Sequence, residues 1–402
     1  MTPYEQAAWS WAEHLRSGGA TPWSAWVERP AAGEASVPPG ATMPGAAQLE
    51  LVRRLARRLE RHPMGDADAF RGLADLVLGR SGPGRGRAQQ PLSWTGAGEG
   101  PRRFGAPPLD PSDVPVDELV RVGVGALTEL LLRAPDAPAA HPARRRLFTR
   151  TPAFTLAGAP VTTSVVRQRL EAAGHVEGGD PPRVALVVEP FDVTLAQVWS
   201  ARVQRGAPVR WAGFVERWAG RRDLPPSADY PALARLWAER VGPAEVHVLL
   251  APADPVTATR DVARLLDVDP TPRRALREPR WCDLSPSAAD VVRRVNAVLN
   301  VRSSAPRHEA VVRTLVTTLA PAGHRHPLTV PERFRDWAAA RARGIAEELS
   351  TGGYSVHGDP DQVVPRFEDV PTRPRLVDVL DVLLDACLER AVPVATRKAE
   401  QR

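Results

Sequence analysis

FTLAGAPVTTSVVRQRLEAAGH, residues 154–175, joins a short strand to a helix through a tight turn. The mostly apolar residues 154–158 are typical of a strand, Ala159-Pro160-Val161 of a turn, and residues 163–173 of a helix. A strand followed at once by a helix is the repeating unit of sheets whose strands run parallel. The stretch therefore predicts an α/β fold.

Two further segments are predicted to be strands of the same sheet. VALVV at 184–188 and VHVLL at 246–250 are short and almost wholly apolar, as expected of strands that are covered on both faces. Helices are predicted between and after them, at 192–205, 209–219, 229–241, 255–267, 285–299, 307–320, 331–350 and 374–391. This alternation predicts a parallel sheet wrapped by helices over residues 147–370.

The first 135 residues are predicted to form a small all-helical domain. Amphipathic helices are predicted at 5–16, 46–62, 66–78 and 113–133. A Gly- and Pro-rich loop is predicted at 79–110. Four of the eleven Trp fall in residues 1–30, and they are expected either to anchor a helix or to form a ligand platform. Residues 136–146 are predicted to be a linker, and residues 371–402 a C-terminal helix and tail.

Composition restricts the class of protein. The chain has 402 residues, of which 43% are hydrophobic, and a net charge of +6, as in an ordinary globular protein of two or three domains. Its two cysteines are too few for a disulfide framework or a four-thiolate zinc site. No run of about 18 apolar residues is present, and the N-terminus lacks the features of a signal peptide. We therefore expect a cytoplasmic protein without a membrane span.

Arginine replaces lysine almost completely in this chain. Of the 53 basic residues 52 are Arg, and the single lysine, Lys398, lies four positions from the C-terminus. A Schiff-base lysine or the lysine of a phosphate-binding loop would have to be this residue, in a segment that is expected to be frayed. Lysine-dependent chemistry is therefore nearly excluded.

The segment after the first predicted strand is a candidate anion-binding site. Gly158 and Pro160 shape the turn, and Thr162, Thr163 and Ser164 open the helix. Backbone N–H groups at a helix N-terminus point toward a ligand, and the helix dipole favours negative charge, so phosphate oxygens fit there. These five residues are the predicted cofactor-binding set. The alternative is that the hydroxyls serve only as helix caps, as Thr and Ser do in many proteins.

The same segment resembles the nucleotide loop of the 3′-phosphoadenylyl-sulfate-dependent sulfotransferase-like proteins of actinobacteria. That loop has the form G-x-P-K-T-G-T-T; Gly158, Pro160 and Thr162 match it, and Ser164 replaces a threonine. Further similar segments are LAQVWSARVQRG (195–206), GPAEVHVLLAP (242–252), RLLDVDP (264–270), SPSAADVVRRVNAVLN (285–300) and ELSTGGYSVHGDPDQVVP (348–365). The resemblance covers residues 147–365. It implies a P-loop-related sheet of sulfotransferase type, with 3′-phosphoadenylyl sulfate as the cofactor if the site is still functional.

Departures from the family pattern concern the cofactor site. Val161 replaces the lysine that contacts phosphate and the transferring sulfuryl group, and Thr163 replaces a flexible glycine. Glu189-Pro190 stands where family members usually place the arginine that binds the 3′-phosphate. Like charges about 4 Å apart repel by about 4 kcal/mol near a protein surface. The departures predict that the sulfotransferase chemistry is lost and that no catalytic residue remains.

The resemblance together with these departures predicts a catalytically degenerate, non-enzymatic binding or accessory protein, and it implies a place in cell-surface polysaccharide metabolism. A protein partner is expected to bind through the helical residues 1–135. One alternative is an active transferase in which Arg167 and Arg169 replace the lost lysine. Another is a polyanion or membrane-surface binder that uses the helix at 46–62 and Arg144–Arg146. No nucleic-acid motif is recognised, and nucleic acid is not an expected partner.

Several other polar residues each leave a functional and a structural interpretation open. Glu189 and Asp192 follow a buried strand, where paired carboxylates can act as acid and base or bind a divalent cation. The alternative is an exposed acid beside a helix cap. His247, inside VHVLL, is expected to be a core histidine. His324 and His326 have a spacing that metal ligands use, but no third ligand is nearby, so no metal site is predicted.

Overall fold

The computed structural model describes residues 3–28, 43–61, 67–79, 109–134, 153–178, 183–250, 254–276, 279–320, 328–367 and 370–391. The chain divides into two compact units. The first combines Met1–Pro135 with Arg375–Arg402, and the second comprises Asp136–Pro374.

The helices of the described ranges are, in chain order, α1 (Pro3–Arg16), α2 (Trp23–Val27), α3 (Ala46–Leu59), α4 (Ala67–Leu78), α5 (Val116–Arg133), α6 (Pro160–Ala172), α7 (Phe191–Gln204), α8 (Trp211–Ala219), α9 (Tyr230–Val241), α10 (Pro255–Leu265), α11 (Pro286–Arg302), α12 (Ala305–Leu319), α13 (Arg335–Thr351) and α14 (Leu376–Ala391). The strands are β1 (Ala153–Gly158), β2 (Val176–Glu177), β3 (Arg183–Val188), β4 (Val246–Leu250) and β5 (Ser355–His357). Helices α1–α5 and α14 belong to the first unit, and the strands and α6–α13 to the second.

Both ends of the chain contribute to the core of the first unit, because α14 packs against α3, α4 and α5. The approach to α5 is close at Gly123, where a Cβ would lie 2.6 Å from Cδ2 of Leu383. Leu380, Leu383 and Leu384 of α14 are all buried. Burial of a leucine side chain contributes about 1.5–3 kcal/mol, so α14 is a major part of this core.

The N-terminal tryptophans hold α1 and α2 together. Trp11 and Trp23 are buried, with ring centroids 5.1 Å apart. The indole N–H of Trp11 donates to the carbonyl of Thr21 at 2.9 Å, and Trp26 stacks on His14 at 4.6 Å. The rings of Trp11, Trp23 and Trp26 therefore have packing roles within this segment, as the anchoring interpretation requires.

Three of the four arginines of α3, namely Arg53, Arg54 and Arg58, are paired with carboxylates. The side chain of Glu50 is 1% exposed and forms ion pairs of 2.7 Å with both Arg53 and Arg54. Arg58 donates to Asp385 of α14 at 2.6 Å. This pairing reduces the positive charge that α3 could offer to a polyanion or to a membrane surface.

Within its described residues, the second unit contains one sheet of parallel strands in the order β2-β1-β3-β4-β5. Leu156 of β1 lies opposite Ala185 of β3, which in turn lies opposite His247 of β4. The predicted α/β class is confirmed. The edge strands β2 and β5 were not predicted, because two or three residues are too few to show an alternation of apolar and polar side chains.

Helices cover both faces of the sheet. On one face α6 and α10 pack against the central strands around an apolar core that contains Ala185 and Val187 of β3. On the other face α9 packs against β1, β3 and β4. Since side chains alternate along a strand, the buried Val184 and Leu186 face the α9 side. This double coverage explains why the predicted strands are almost wholly apolar.

Helix α6 begins at Pro160 and not at Thr163, so the predicted three-residue turn after β1 is wrong. Proline suits the first position of a helix because its φ is already helical and it has no N–H to satisfy. The predicted anion-binding residues Thr162, Thr163 and Ser164 are consequently part of the helix itself.

Several predicted features lie outside the described residues. They are most of the 79–110 loop, the 136–146 linker with Arg144–Arg146, and the pair His324 and His326. Within the described ranges, no helix is long and apolar enough to span a lipid bilayer.

Candidate functional site

The carboxyl ends of β1 and β3 lie side by side at the point where the strand order reverses. In open α/β sheets ligands bind in the crevice outside the strand ends at this position. Strand β1 ends at Gly158 and β3 at Val188, and residues predicted to be functional follow both. Residues 158–164 and 189–197 therefore form the candidate site, which we call the strand-end site.

Gly158 allows the two strand ends to approach closely. Its φ is +110°, and a Cβ at this position would overlap the carbonyl oxygen of Val187. The next residue, Ala159, donates its N–H to that same carbonyl at 3.0 Å. Only glycine fits here without strain, and it directs the chain into α6 beside the end of β3.

A side chain of the neighbouring helix already occupies the N-terminus of α6. Oε1 of Gln197, on α7, accepts hydrogen bonds from the backbone N–H of Val161 at 3.0 Å and of Thr162 at 3.3 Å. Its Nε2 donates to Oγ1 of Thr162 at 3.1 Å. The amide therefore takes backbone donors that a phosphate would use at a helix N-terminus.

Thr162 also connects the helix to the acid that follows β3. Its hydroxyl accepts the hydrogen bond from Gln197 and donates one to Oε1 of Glu189 at 2.7 Å. The carboxylate thus contributes negative charge at a place where an anionic cofactor would need a cation.

The two remaining hydroxyls of the predicted cofactor-binding set also have partners inside the protein. Thr163 donates to the carbonyl of Ala159 at 2.7 Å, a bond within the first turn of α6. Oγ of Ser164 accepts a hydrogen bond from the backbone N–H of Trp281 at 2.9 Å. Every hydroxyl of the set therefore takes part in a hydrogen bond within the chain.

The arginines considered as substitutes for a loop lysine lie further along α6. Arg167 donates to Glu177 of β2 at 2.8 Å and to the carbonyl of Leu156 at 3.4 Å. Nε of Arg169 is buried and has no hydrogen-bond partner among the residues that the structure describes. Arg167 consequently has a neutralising acid of its own on the edge strand.

Asp192, the second carboxylate predicted at the strand end, is tied to another part of the unit. It is buried, and it accepts hydrogen bonds from the backbone N–H of Val193 at 2.9 Å and from the hydroxyl of Thr329 at 2.7 Å. Burial raises the pKa of Asp192 despite these hydrogen bonds. Its contacts are those of a structural acceptor that positions the segment around Thr329.

Tyr230 fixes the chain where it leaves β3. The phenol is fully buried, and its oxygen lies 3.3 Å from the backbone nitrogen of Glu189 and 2.5 Å from Oγ1 of Thr194. Burial raises the pKa of Tyr230, so the phenol stays neutral and accepts the N–H of Glu189. Gln197, Tyr230 and Thr329 were not predicted, because single polar residues on separate segments leave no local pattern.

The histidines of the second unit are distributed over separate places. His247 on β4 and His357 on β5 have ring centroids 5.7 Å apart, and burial, then the charge of His357, lowers the pKa of His247. His175 lies 2.7 Å from the carbonyl oxygen of Asp269. Across the described part of the chain, no three His, Cys, Asp or Glu side chains come together as a metal site requires.

Comparisons of the chain with protein-family models, with curated proteins and with solved structures found no match. The function is therefore argued from the geometry of the site.

Proposed function

We propose that this chain is a non-catalytic binding or accessory protein, built on a sulfotransferase-like α/β scaffold whose donor site is closed by its own side chains. The observation that carries the proposal is the hydrogen-bond network at the N-terminus of α6. In it Gln197 takes the backbone donors and Glu189 takes the hydroxyl of Thr162. A place in cell-surface polysaccharide metabolism belongs to the same proposal and depends on the resemblance of residues 147–365.

Electrostatics supports this proposal. A phosphate at the strand-end site would displace the Gln197 oxygen and would meet the carboxylate of Glu189. A hydrogen bond lost in this way costs about 0.5–1.5 kcal/mol net. Repulsion between like charges about 4 Å apart costs about 4 kcal/mol near a surface, which corresponds to about 1,000-fold in affinity. Nucleotide binding is therefore disfavoured as long as Glu189 keeps its charge.

The alternative of a working transferase requires a cation that reaches the N-terminus of α6. Arg167 and Arg169 were the candidates, and the guanidinium of Arg167 is paired with Glu177. That pairing favours the non-catalytic function over the rewired enzyme.

The test is a calorimetric titration of the full chain with 3′-phosphoadenosine 5′-phosphate, the product form of the donor, at low salt. At the strand-end site we expect no saturable binding up to millimolar nucleotide, so the wild-type chain and Thr162→Val should give the same titration. The variant Glu189→Arg reverses the repulsive charge and should gain measurable binding. Glu239→Arg makes the same charge change at an exposed position of α9 and should gain none.

Two outcomes would count against the proposal. Micromolar binding by the wild-type chain that disappears in Thr162→Val would mean that the strand-end site is open to nucleotide. Failure of Glu189→Arg to bind, in a variant with a wild-type thermal unfolding curve, would mean that the carboxylate does not close the site.

A further inference from the structure

A second region of the α/β unit has the dimensions of a small-molecule site. A cavity of about 550 Å³ lies between the C-terminal end of α7, residues 279–282, the end of α11 and helix α12. Cavities that bind small organic molecules have volumes of about 300–1,000 Å³. The lining contains no residue of the strand-end site, so the inference drawn from it does not depend on the proposed function.

Three arginines line this cavity, and only one of them is paired within the described residues. Arg313 forms an ion pair of 2.9 Å with Glu309, the sole carboxylate among the lining side chains. The guanidinium carbons of Arg205 and Arg280 lie 4.5 and 5.3 Å from the ring centroid of Trp281. The cavity therefore presents two cations held beside an indole ring.

Further positive charge surrounds Arg205. Burial, followed by the charges of Arg217, Arg205 and Arg221, lowers the pKa of Arg202. Trp218 lies within 5.5 Å of the Arg202 guanidinium carbon and 5.2 Å of that of Arg221. Like charges that cluster raise the local potential and attract anions. The neighbouring cavity is therefore electropositive.

Hydrogen bonds hold the walls of the cavity in place. The side chain of Gln204 accepts from the backbone N–H of Cys282 at 3.0 Å and donates to its carbonyl at 2.9 Å. Asn296 uses its Nδ2 to donate to the carbonyl of Val203, so its Oδ1 must be the acceptor for Nε2 of His308 at 3.0 Å. His308 then carries a proton on Nε2 and donates it to Asn296. A preformed site of this kind loses little conformational entropy on binding.

We propose that this cavity binds a small organic anion in which a carboxylate or a phosphate is attached to a flat apolar group. The anionic group pairs with the guanidinium groups of Arg205 and Arg280, whose planar donors match the geometry of carboxylate and phosphate oxygens. The apolar group packs against the valines of α12 that line the cavity, Val312 and Val316.

Calorimetric titration of the full chain with 2-naphthoate, 2-naphthyl phosphate and the uncharged 2-naphthamide tests the proposal, because the probes share one ring system. Both anions should bind saturably and about tenfold or more tightly than the amide. Arg205→Gln and Arg280→Gln should each weaken anion binding by about tenfold. Arg343→Gln removes the same charge from an exposed position of α13 outside the lining and should leave binding unchanged.

A second kind of variant tests the cavity independently of its charge. Ala305→Trp, at an exposed position of the lining, keeps every arginine and narrows the cavity. It should therefore weaken the binding of both naphthyl anions. Equal binding of the anions and the amide would overturn the proposal, as would anion binding that persists in Arg205→Gln and Arg280→Gln. Binding of a single-stranded oligonucleotide through these arginines, with neither naphthyl anion bound, would instead make the region a polyanion surface and the proposal wrong.

The same variants separate this cavity from the strand-end site. An adenine nucleotide is itself an anion with a flat group, so it is a ligand of the proposed class. Nucleotide binding that is lost in Arg280→Gln and kept in Thr162→Val belongs to the cavity. Nucleotide binding that is kept in Arg280→Gln and lost in Thr162→Val takes place at the strand-end site. It contradicts the proposed function and leaves the cavity proposal unaffected.

Discussion

Thr329 donates its hydroxyl to Oδ2 of Asp192 across 2.7 Å, which joins the first turn of α7 to a residue 137 positions later. Both side chains are buried, so water cannot replace the hydroxyl. The carbonyl of Thr329 also accepts from the indole of Trp211 at 3.1 Å, and its N–H donates to the carbonyl of Pro371 at 3.1 Å. This one residue therefore connects separate segments of the α/β unit.

Thr329→Val should lower the free energy of unfolding by about 1–3 kcal/mol, because it leaves a buried carboxylate oxygen without its donor while keeping the shape of the side chain. Chemical denaturation measures the change. Thr351→Val is the matched control, since that hydroxyl donates within its own helix on an exposed face, and it should change stability by less than about 0.5 kcal/mol. Equal effects of the two substitutions would contradict this account.

The raised pKa of Asp192 predicts a pH dependence of stability. Between the ordinary value of 3.8 and the raised value, the folded chain binds more protons than the unfolded chain, so the contribution of this group to the free energy of unfolding falls as pH rises. Asp192→Asn removes the titration. The free energy of unfolding of the variant minus that of the wild type should therefore increase with pH between 3.8 and the raised pKa. A difference that does not change with pH would contradict a raised pKa of Asp192.

His247 should give a pH dependence of the opposite sign. Burial and the charges of His357 and Arg183 lower its pKa from the ordinary value of 6.5, and Glu245 opposes them. The unfolded chain then binds more protons below pH 6.5, so stability should fall as pH decreases from 6.5 through the lowered value. His247→Leu should reduce this acid-induced loss, measured by denaturation across the range. Some loss should remain in the variant, because burial also lowers the pKa of His308.

Gly158→Ala should destabilise the α/β unit by more than about 2 kcal/mol, because a Cβ would overlap the carbonyl of Val187 and φ is +110°. Gly344→Ala is the matched control. Gly344 lies inside α13, and a Cβ there would meet no atom within 4 Å, so the change should stabilise by about 0.5–1 kcal/mol. Thermal unfolding of both variants distinguishes backbone strain from a general effect of added methyl groups.

Glu50→Gln should lower the free energy of unfolding by about 3–5 kcal/mol, because it removes a buried carboxylate that pairs with Arg53 and Arg54. The exposed pair Glu309–Arg313 provides the comparison, since side chains that are 76% and 48% exposed interact mainly through water. Glu309→Gln should therefore change stability by about 0–1 kcal/mol. Similar losses in both variants would mean that burial does not determine the strength of these ion pairs.

The central strands of the sheet could be predicted from the sequence because burial on both faces requires apolar residues, and each strand shows that composition by itself. Strands β1, β3 and β4 are almost wholly apolar, with Thr155, Arg183 and His247 as their polar residues, since helices cover both faces of the sheet. Several helix starts are equally local: Ser285 accepts from the N–H of Ala288, and Asp254 accepts from those of Val256 and Thr257. A cap and its helix are only a few residues apart, so a short window of sequence contains both.

The state of the strand-end site could not be predicted, because it depends on contacts between distant segments. The sequence shows Thr162 and Glu189 but not that they form a hydrogen bond, and it does not indicate that Gln197 reaches the N-terminus of α6 from a helix 35 positions away. Hydroxyls after a strand are compatible with both an open and a closed site. Only the approach of α7 to α6 decides between them.

The way α14 completes the first unit has a consequence for synthesis of the protein. Helices α3 and α5 leave the ribosome early, whereas the helix that covers them comes from Leu376–Ala391. The contiguous α/β segment can fold before α14 has been made, while the apolar surfaces of α3 and α5 are still uncovered. A nascent chain would therefore expose the apolar surfaces of α3, α4 and α5 that α14 covers until residues 376–391 have been synthesised.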